Sequence, residues 1–462
     1  MKRFYSAVGA SDMAALRSIC EVVDDPSYNV DWMRKWKGRS SVVVRPRTTE
    51  EVSAVLKYCN QRQLPIVPQG GNTGLVGGSV PVKDEIILST RRMDSINGLR
   101  DGVVKVEAGV ILENLDSYLK DQGFAAPLDL GAKGSCTIGG NAATNAGGLR
   151  FLRYGSLRGS IVGLEVATAD GTVLDAGYST GLRKDNTGYP IHELFIGSEG
   201  TLGVITKIAL AVPASSAVVN AALFSCESFN QVRGVLATAR RTCAEILSAC
   251  EFFDSEARRC VLEYEPGTTD PLGDDAAFRV LVETSGSHAT HDREKLEGLL
   301  TDLDVLDGVI APDATKAAQL WRLREGISDA MTSRGYVHKY DLSLPLEHMY
   351  DLVTQTRDRV PPNTTVAGYG HLGDSNLHLN VVAAGDDENA NYELAAVLEP
   401  WIFDRVLELN GSISAEHGLG QSKNSLLSRA KSPAMLALMR KLKHTMDPRH
   451  ILNPYKVLPP SI

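Results

Sequence analysis

Short apolar runs alternate with helix-like spacings along the first 213 residues of the chain. The run at 41–44 predicts a strand. Thr48 and Glu51 have the spacing of a capping box, which predicts that a helix begins there. Further strands are predicted at 65–67, 85–89, 103–107, 161–168 and 203–211, with a hairpin turn at 169–172.

The pattern changes after Pro213. Strands are predicted at 218–224, 278–283 and 336–342, and helices near 228–240, 289–302 and 315–333. Strands separated by helices in this way predict an antiparallel sheet that helices cover on one face. A further helix is predicted near 433–445, in a tail that packs back on earlier structure. The pattern therefore predicts an α+β fold with a domain boundary near residue 214.

Length and composition narrow the possibilities. At roughly 150 residues per domain, 462 residues predict two or three domains. The net charge of −8 and the absence of a basic run argue against nucleic-acid binding. No apolar run approaches the roughly 20 residues of a membrane helix, and residues 1–25 lack the pattern of a secretory signal or a transit peptide. We therefore expect a cytoplasmic protein, or a mitochondrial matrix protein if the source is eukaryotic.

The seven cysteines are scattered, odd in number and without a Cys-x-x-Cys pair. This arrangement predicts reduced and mostly buried thiols rather than a disulfide framework. It also gives no support to an iron–sulfur cluster.

Three glycine-rich loops lie at 69–78, 139–148 and 196–203, the first of them directly after a predicted strand. Glycine lets successive backbone N–H groups turn inward around an anion, and small residues let a flat ligand approach the backbone. None of the loops matches G-x-G-x-x-G or a Walker loop, which disfavours a Rossmann nicotinamide site and a P-loop. Three such loops in one half of the chain predict a site for a phosphate-bearing ligand.

Two glycine-punctuated segments carry the candidate metal chemistry. His371 and His378 flank one turn, and Glu416 precedes His417 in a second segment. Two imidazoles and a carboxylate with an open fourth position are typical of a catalytic divalent-metal site. Such a site also suits manganese, iron or cobalt. Residues 377–382 alternate as in a half-buried strand, so His378 should share a face with Asn380.

Residues 43–46, 68–74, 145–148 and 197–203 resemble the FAD-binding domain of the vanillyl-alcohol-oxidase-type flavoproteins. Residues 371–380 and 414–418 resemble its FAD-linked 2-hydroxyacid dehydrogenase branch, and residues 127–135 and 183–189 support the same branch. The likeness runs from about residue 40 to residue 456. It implies a two-subdomain FAD-binding domain at 1–214, a substrate (cap) domain at 215–425 with an antiparallel sheet covered by helices, and a C-terminal helical segment at 426–462 that packs back on the FAD domain.

The resemblance implies that FAD binds with its pyrophosphate on the 70–74 loop. Some relatives attach the flavin through a histidine in that loop, but this chain has Asn72 there, so we expect noncovalent FAD. The residues expected to bind the cofactor are Pro68, Gln69, Gly70, Gly71, Asn72, Thr73, Gly74, Leu75, Gly78, Ser79, Pro127, Gly134, Ser135, Gly139, Gly140, Asn141, Thr144, Asn145, Gly147, Gly148, Glu199, Gly200, Gly203, Val204, Ile205 and Asn453.

The same resemblance assigns zinc to His371, His378 and Glu416, with His417 as the catalytic base that also contacts substrate. One departure is Ser375, which stands in the turn where glycine is usual. A metal that chelates the substrate hydroxyl and carboxylate would acidify the hydroxyl, while hydride passes from C2 to flavin N5. Asn380 is expected to bind the substrate carboxylate, and Arg324, Ser328 and Lys339 a second, distal carboxylate.

The resemblance implies oxidation of D-2-hydroxyglutarate to 2-oxoglutarate, with D-lactate or D-malate as alternative substrates. A zinc hydrolase built on the same two histidines and glutamate would leave the glycine loops without a role. A catalytically silent flavin- or metal-binding protein is a third reading. By resemblance, the electron acceptor is expected to be an electron-transfer flavoprotein or a quinone, with oxygen left open, and a homodimer is the default assembly.

Overall fold

The computed structural model describes residues 8–383 and 388–459. Its β-strands are β1 (Glu21–Val23), β2 (Val43–Arg45), β3 (Ile66–Gln69), β4 (Ile86–Ser89), β5 (Ile96–Arg100), β6 (Val103–Glu107), β7 (Ile161–Ala167), β8 (Val173–Ala176), β9 (Val204–Ala211), β10 (Val218–Cys226), β11 (Leu247–Asp254), β12 (Phe278–Gly286), β13 (Asp307–Ile310), β14 (Val337–Ser343), β15 (Thr365–His371) and β16 (Asn376–Val382).

Its α-helices are α1 (Ala10–Ile19), α2 (Thr49–Arg62), α3 (Leu112–Asp121), α4 (Ile138–Thr144), α5 (Phe151–Tyr154), α6 (Leu157–Ser160), α7 (Phe229–Thr242), α8 (Ser255–Tyr264), α9 (Ala289–Asp302), α10 (Ala314–Glu325), α11 (Ile327–Thr332), α12 (Met349–Arg359), α13 (Glu388–Glu408), α14 (Leu427–Ala430) and α15 (Pro433–Met446). Among the strands, the sequence pattern did not predict β1, β5, β11, β13 or β15. Among the helices, it predicted α2, α7, α9 and α15, and a single helix where α10 and α11 lie.

The chain divides into two compact units. Unit 1 comprises the described residues up to Gly147, Ser156–Ser215 and those from Glu416 onwards, and unit 2 comprises Gly148–Gly155 and Ser216–Ala415. The change at Ser215 falls beside the boundary predicted near 214. Residues 416–425 were predicted as part of the cap domain, whereas the contacts group them with unit 1. The backbone N–H groups of Leu419 and Gly420 both donate to the Glu199 carboxylate there.

Unit 1 contains two sheets. One has the order β1-β2-β4-β3, in which β2, β4 and β3 are parallel, and the other has the antiparallel order β5-β6-β9-β7-β8. Helix α2 begins as predicted, because the Thr48 hydroxyl accepts the N–H of Glu51 at 3.3 Å. The reciprocal half of the capping box differs: the Glu51 carboxylate accepts the N–H of Arg47. The predicted hairpin at 169–172 joins β7 to β8.

Unit 2 is built on an antiparallel seven-stranded sheet with the order β13-β10-β12-β11-β15-β16-β14. Helices cover both faces, so the prediction of a single covered face was wrong. Phe229 of α7 packs on Phe252, while the next residue of β11, Phe253, lies in a cluster with residues of α8, α10 and α11. Strands β11 and β12 are accordingly buried along almost their whole length, as in a sheet enclosed on both sides.

Two expectations about the whole chain can be compared with the described residues. All seven cysteines lie among them, and each is a buried free thiol. Within the same residues, no helix combines the length and the apolar character that crossing a membrane requires.

Candidate active site

Unit 1 contains a cleft that is lined by residues of both its sheets, among them Gln69 of β3 and Val204 of β9. The glycine loops at 69–78 and 196–203, together with α4, supply most of its wall. The lining residues are Pro68, Gln69, Gly70, Gly71, Asn72, Thr73, Gly74, Val76, Gly78, Ser79, Thr90, Ala108, Thr137, Gly139, Gly140, Asn141, Ala143, Thr144, Glu199, Gly200, Gly203, Val204, Ile205 and His417. Three separately predicted glycine-rich segments therefore meet at one cleft, although the second of them, 139–148, is helical over its first part in α4.

The first loop passes so close to the segment before α4 that a side chain would not fit. A β-carbon on Gly70 would lie 2.3 Å from Thr137 Oγ1, and one on Gly71 would lie 2.1 Å from the carbonyl oxygen of Ser135. A β-carbon on Gly74 would meet no protein atom within 4 Å, so glycine there leaves the space of the cleft open. The loop is thus shaped for a ligand that lies against the backbone.

Some residues predicted to bind the cofactor do not line the cleft; they are Leu75, Pro127, Gly134, Ser135, Asn145, Gly147, Gly148 and Asn453. Two of them have visible structural roles within unit 1. The Asn453 amide donates to the carbonyl oxygens of Gly78 and Glu199, which holds two cleft loops together. A β-carbon on Gly147 would lie 3.0 Å from Glu416 Cγ, so glycine leaves room for that side chain.

His417 lies at the cleft on a loop that a buried carboxylate holds. Both oxygens of Glu199 accept backbone N–H groups of this loop, from Leu419 and Gly420, at 2.8 Å each. Gly418 has φ +76°, and a β-carbon on it would lie 2.7 Å from Glu199 Oε1. Position 418, immediately after the predicted base, therefore favours glycine both for its left-handed backbone conformation and for its close packing against Glu199. His417 Nε2 lies 3.9 Å from Glu416 Oε2.

In unit 2, one face of the sheet collects the other predicted site residues. Directly opposite partners in neighbouring strands point to the same side of a sheet. Such pairing links Glu251 with His371, Tyr369 with His378, His378 with Asp341, and Asn380 with Lys339. The predicted neighbours His378 and Asn380 do share this face, with Lys339 and Asp341 beside them.

The two histidines lie together at one end of this face. Their ring centroids are 5.1 Å apart. His371 Nδ1 lies 2.9 Å from Glu251 Oε1, and His378 Nδ1 lies 4.0 Å from Asp341 Oδ1. A carboxylate that accepts the Nδ1 proton, as Glu251 can from His371, leaves the lone pair of that ring on Nε2. Glu416 belongs to unit 1, so the predicted third ligand is placed in the other unit.

Glu251 is a residue of this face that the sequence analysis missed. Besides contacting His371, its carboxylate forms an ion pair with Arg324, with Nη2 2.8 Å from Oε2. Burial alone would raise the pKa of Glu251, but the charges of His371 and Arg324 outweigh that effect and lower it. Glu251 stands within β11, a strand that is buried along its whole length, and only its pairing with β15, 120 residues away, reveals its place.

The predicted residues for the second carboxylate also come together on this face. Arg324 lies over the Tyr369 ring at 4.8 Å, and Lys339 Nζ donates to Ser328 Oγ at 2.8 Å. Arg324 and Ser328 belong to successive helices, α10 and α11, rather than to one. Gly326 at the junction keeps a helical backbone, which preserves their predicted spacing. The Asn380 amide donates to the Tyr369 hydroxyl at 2.9 Å.

The turn between the histidines offers a stability test. Ser375 has φ +64° and ψ +31°, a left-handed conformation that costs an L-residue about 1–2 kcal/mol. Glycine avoids that cost but loses about 0.5–1 kcal/mol in backbone entropy. Ser375→Gly should therefore raise the unfolding free energy by up to about 1 kcal/mol, measured as a higher urea midpoint at equal flavin content. Ser375→Ala, which keeps a β-carbon, should give no gain, and a lower midpoint for the glycine variant would contradict the strain.

Comparison with known proteins matches both halves of the chain. A model of an FAD binding domain matches residues 40–177, and a model of the FAD linked oxidases, C-terminal domain, matches residues 215–457. D-2-hydroxyglutarate dehydrogenase, mitochondrial, from Rattus norvegicus is 50% identical over 98% of this chain and 86% of its own length. The enzyme of the same name from Arabidopsis thaliana is 48% identical over 99% of this chain and 83% of its own length.

A solved structure, 4-ethylphenol oxidase from Gulosibacter chungangensis, is 16% identical, covers 99% of each chain and has a TM-score of 0.75. This likeness confirms the predicted vanillyl-alcohol-oxidase-type fold and carries no further argument. The FAD-binding domain confirms FAD as the cofactor and removes the zinc-hydrolase alternative.

The names of the relatives also correct one expectation. The prediction of a cytoplasmic protein was wrong, because the rat and Arabidopsis relatives are both named as mitochondrial enzymes. The composition of a folded domain does not record the compartment in which its relatives work. Taken together, the matched domains and the identity over nearly the whole length show that the chain belongs to the FAD-dependent D-2-hydroxyacid dehydrogenases, among relatives named D-2-hydroxyglutarate dehydrogenase.

Proposed function

We propose that the protein oxidises D-2-hydroxyglutarate to 2-oxoglutarate with the assistance of a divalent metal. The main support is the pair of cations on the sheet face that carries His371 and His378, the buried Arg324 and the half-buried Lys339. A monocarboxylate such as D-lactate gives these cations nothing to bind. D-malate, a shorter dicarboxylate, is the alternative substrate that they would also suit.

The residues fit a metal through the chemistry of their donor atoms. A carboxylate accepts only, so Glu251 favours the His371 tautomer with its proton on Nδ1 and a lone pair on Nε2. A histidine held by a carboxylate at one ring nitrogen is the usual arrangement of a metal ligand. Asp341 stands in the corresponding position for His378, although at 4.0 Å. We propose Zn²⁺ as the metal, with manganese, iron and cobalt as alternatives.

Glu416 is the third ligand of this proposal. The chain itself supports the assignment within unit 2, because the N–H of Ala415 donates to the carbonyl oxygen of Asp341 at 3.4 Å. Asp341 is the strand partner of His378, and Glu416 is bonded to Ala415. The backbone is therefore anchored beside the histidines one residue before the carboxylate.

The unit 1 cleft fits FAD, with the 70–74 loop as the proposed cradle for the pyrophosphate. Because Asn72 stands in that loop and its amide donates to the carbonyl oxygen of Val30, we propose noncovalent attachment. Acid precipitation of the purified protein should leave the yellow colour in the supernatant. Flavin that remains in the pellet after washing would contradict noncovalent binding.

Bound FAD supplies the acceptor for the hydride from C2, and a bound divalent cation supplies a Lewis acid that lowers the pKa of the substrate hydroxyl by several units. The chain's own residues then have defined tasks. His417 takes the hydroxyl proton, Asn380 binds the carboxylate next to C2, and Arg324 with Lys339 binds the distal carboxylate. The acceptor for the electrons is proposed to be an electron-transfer flavoprotein or a quinone, and the assembly a homodimer.

The direct test is anaerobic flavin reduction across D- and L-2-hydroxyacids. Bleaching should be efficient with D-2-hydroxyglutarate, weaker with D-malate and weakest with D-lactate, and the L-isomers should leave the flavin oxidised. An equal or better kcat/KM for D-lactate would remove the proposed substrate. The same reaction in air, with and without an added quinone, tests the acceptor.

The pH dependence should also distinguish the two substrate classes. Burial lowers the pKa of Lys339, with Asp329 acting in the opposite direction. Lys339 attracts a carboxylate only when protonated, so KM for D-2-hydroxyglutarate should rise with pH, starting below the pH at which an ordinary lysine titrates. KM for D-lactate should lack this rise, and Lys339→Gln should abolish the difference. Parallel KM profiles for both substrates in the wild type would exclude Lys339 from the site.

A further inference from the structure

One buried carboxylate serves both binding functions of the unit 2 face. The Glu251 side chain is 2 % exposed; its two oxygens lie 2.9 and 2.7 Å from His371 Nδ1, and Oε2 also lies 2.8 Å from Arg324 Nη2. The nearest residues of β11 on the same face, Ala249 and Phe253, are fully buried and apolar. Burying a charge among them costs folding free energy that an apolar residue would not, which calls for a role beyond packing.

The same contacts position two groups that act on different parts of the substrate. Toward β15, the carboxylate fixes the tautomer and ring orientation of His371. Toward α10, it holds the Arg324 guanidinium against the Tyr369 ring. We propose that Glu251 is a positioning residue that couples metal retention to recognition of the distal carboxylate, so that a change at this carboxylate alters both functions together. This inference rests on the proposed function.

A glutamine at position 251 should break both functions at once. Its amide has one accepting oxygen and one NH₂ group, and it faces two donors. If the oxygen stays on Arg324, the NH₂ group meets His371 and favours the tautomer that protonates Nε2. If the oxygen stays on His371, Arg324 loses its charged partner. The side chain keeps its size, so the change addresses charge and donor direction rather than volume.

Glu283 provides a matched control on the same face. It is buried in the neighbouring strand β12, and it anchors the same helix, because Trp321 Nε1 donates to it at 3.0 Å. It also bonds Arg150, Ser248 and Ser285, and among the described residues none of its contacts involves His371 or Arg324. Glu283→Gln therefore removes an equivalent buried charge under α10 without touching either of the coupled groups.

The experiment measures two constants on flavin-loaded protein. The first is the dissociation constant for Zn²⁺ from competition with a chromophoric chelator, and the second is KM for D-2-hydroxyglutarate at saturating Zn²⁺, with D-lactate in parallel. Glu251→Gln should weaken Zn²⁺ binding about 10–100-fold and raise KM for D-2-hydroxyglutarate at least about tenfold, with a far smaller change for D-lactate. Glu283→Gln should leave both constants near the wild-type values.

Glu251→Asp keeps the charge but shortens the side chain, so both constants should lie between those of the wild type and those of Glu251→Gln. If the glutamine variant does not retain flavin, the aspartate variant is compared with the wild type instead. A change in only one constant, or equal changes in the position 251 and 283 variants, would overturn the coupling. Wild-type protein that does not bind Zn²⁺, or that does not prefer the dicarboxylate, would instead remove the proposed function on which the coupling rests.

Discussion

Replacing His417 with alanine should lower kcat about 10²–10⁴-fold, the range typical for losing a positioned general base. His417 lies at the cleft proposed for FAD, and the Glu199 carboxylate fixes the loop just beyond it. Without the imidazole, the hydroxyl proton must leave to water. The change should fall on kcat rather than on KM, because the proposed contacts to both carboxylates remain. Anaerobic stopped-flow measurement of flavin reduction gives the rate directly.

Two controls separate a base from a structural histidine. His444→Gln alters an exposed histidine of α15 in the same unit and should leave the rate unchanged. Added imidazole should restore part of the rate of His417→Ala, since a small base can occupy the vacated space. Wild-type flavin reduction by His417→Ala, at unchanged flavin and metal content, would exclude His417 as the base.

The parts of the site that local chemistry encodes could be read from the sequence. The glycine loops were found because glycine is required where Gly70 and Gly71 pass the segment before α4. The face shared by His378 and Asn380 was found because alternation along β16 gives a period of two. Each of these features depends on residues close together in the chain, so a pattern of ten residues or fewer carries it.

The parts that depend on distant pairing could not be read in the same way. Strand β11 is buried along its whole length, since helices cover both faces of the sheet, so its sequence shows no alternation of apolar and polar residues that would mark the side on which Glu251 lies. Nor does local sequence indicate that Gly148–Gly155 leaves unit 1 to join unit 2. There Arg153 donates to the carbonyl oxygen of Ser285, a contact between residues 132 positions apart. The segment of α10 and α11 was predicted only in part. It was predicted as one helix, whereas Gly326 ends α10 without changing the spacing of Arg324 and Ser328.

Removing the metal should abolish most of the activity while leaving the flavin bound. An aliphatic hydroxyl is too weakly acidic for a histidine to deprotonate, whereas a divalent cation lowers the pKa of bound water to about 7–9. A comparable shift at the substrate hydroxyl accounts for a loss of about 10³-fold or more on chelation. Zn²⁺, Mn²⁺ and Co²⁺ should each be tested for recovery of flavin reduction.

The variant His378→Ala tests the same prediction without the addition of a chelator. Loss of one of three protein ligands should weaken Zn²⁺ binding by more than the about 10–100-fold that follows from losing a supporting partner. The rate at limiting Zn²⁺ should fall accordingly, and excess Zn²⁺ should recover part of it. His348→Gln, at an exposed histidine of unit 2, should retain wild-type metal content. Chelated wild-type protein that reduces its flavin at the full rate, with less than about a tenth of a metal ion per chain, would show that the hydroxyl proton leaves without a metal and that His371 and His378 serve the substrate directly.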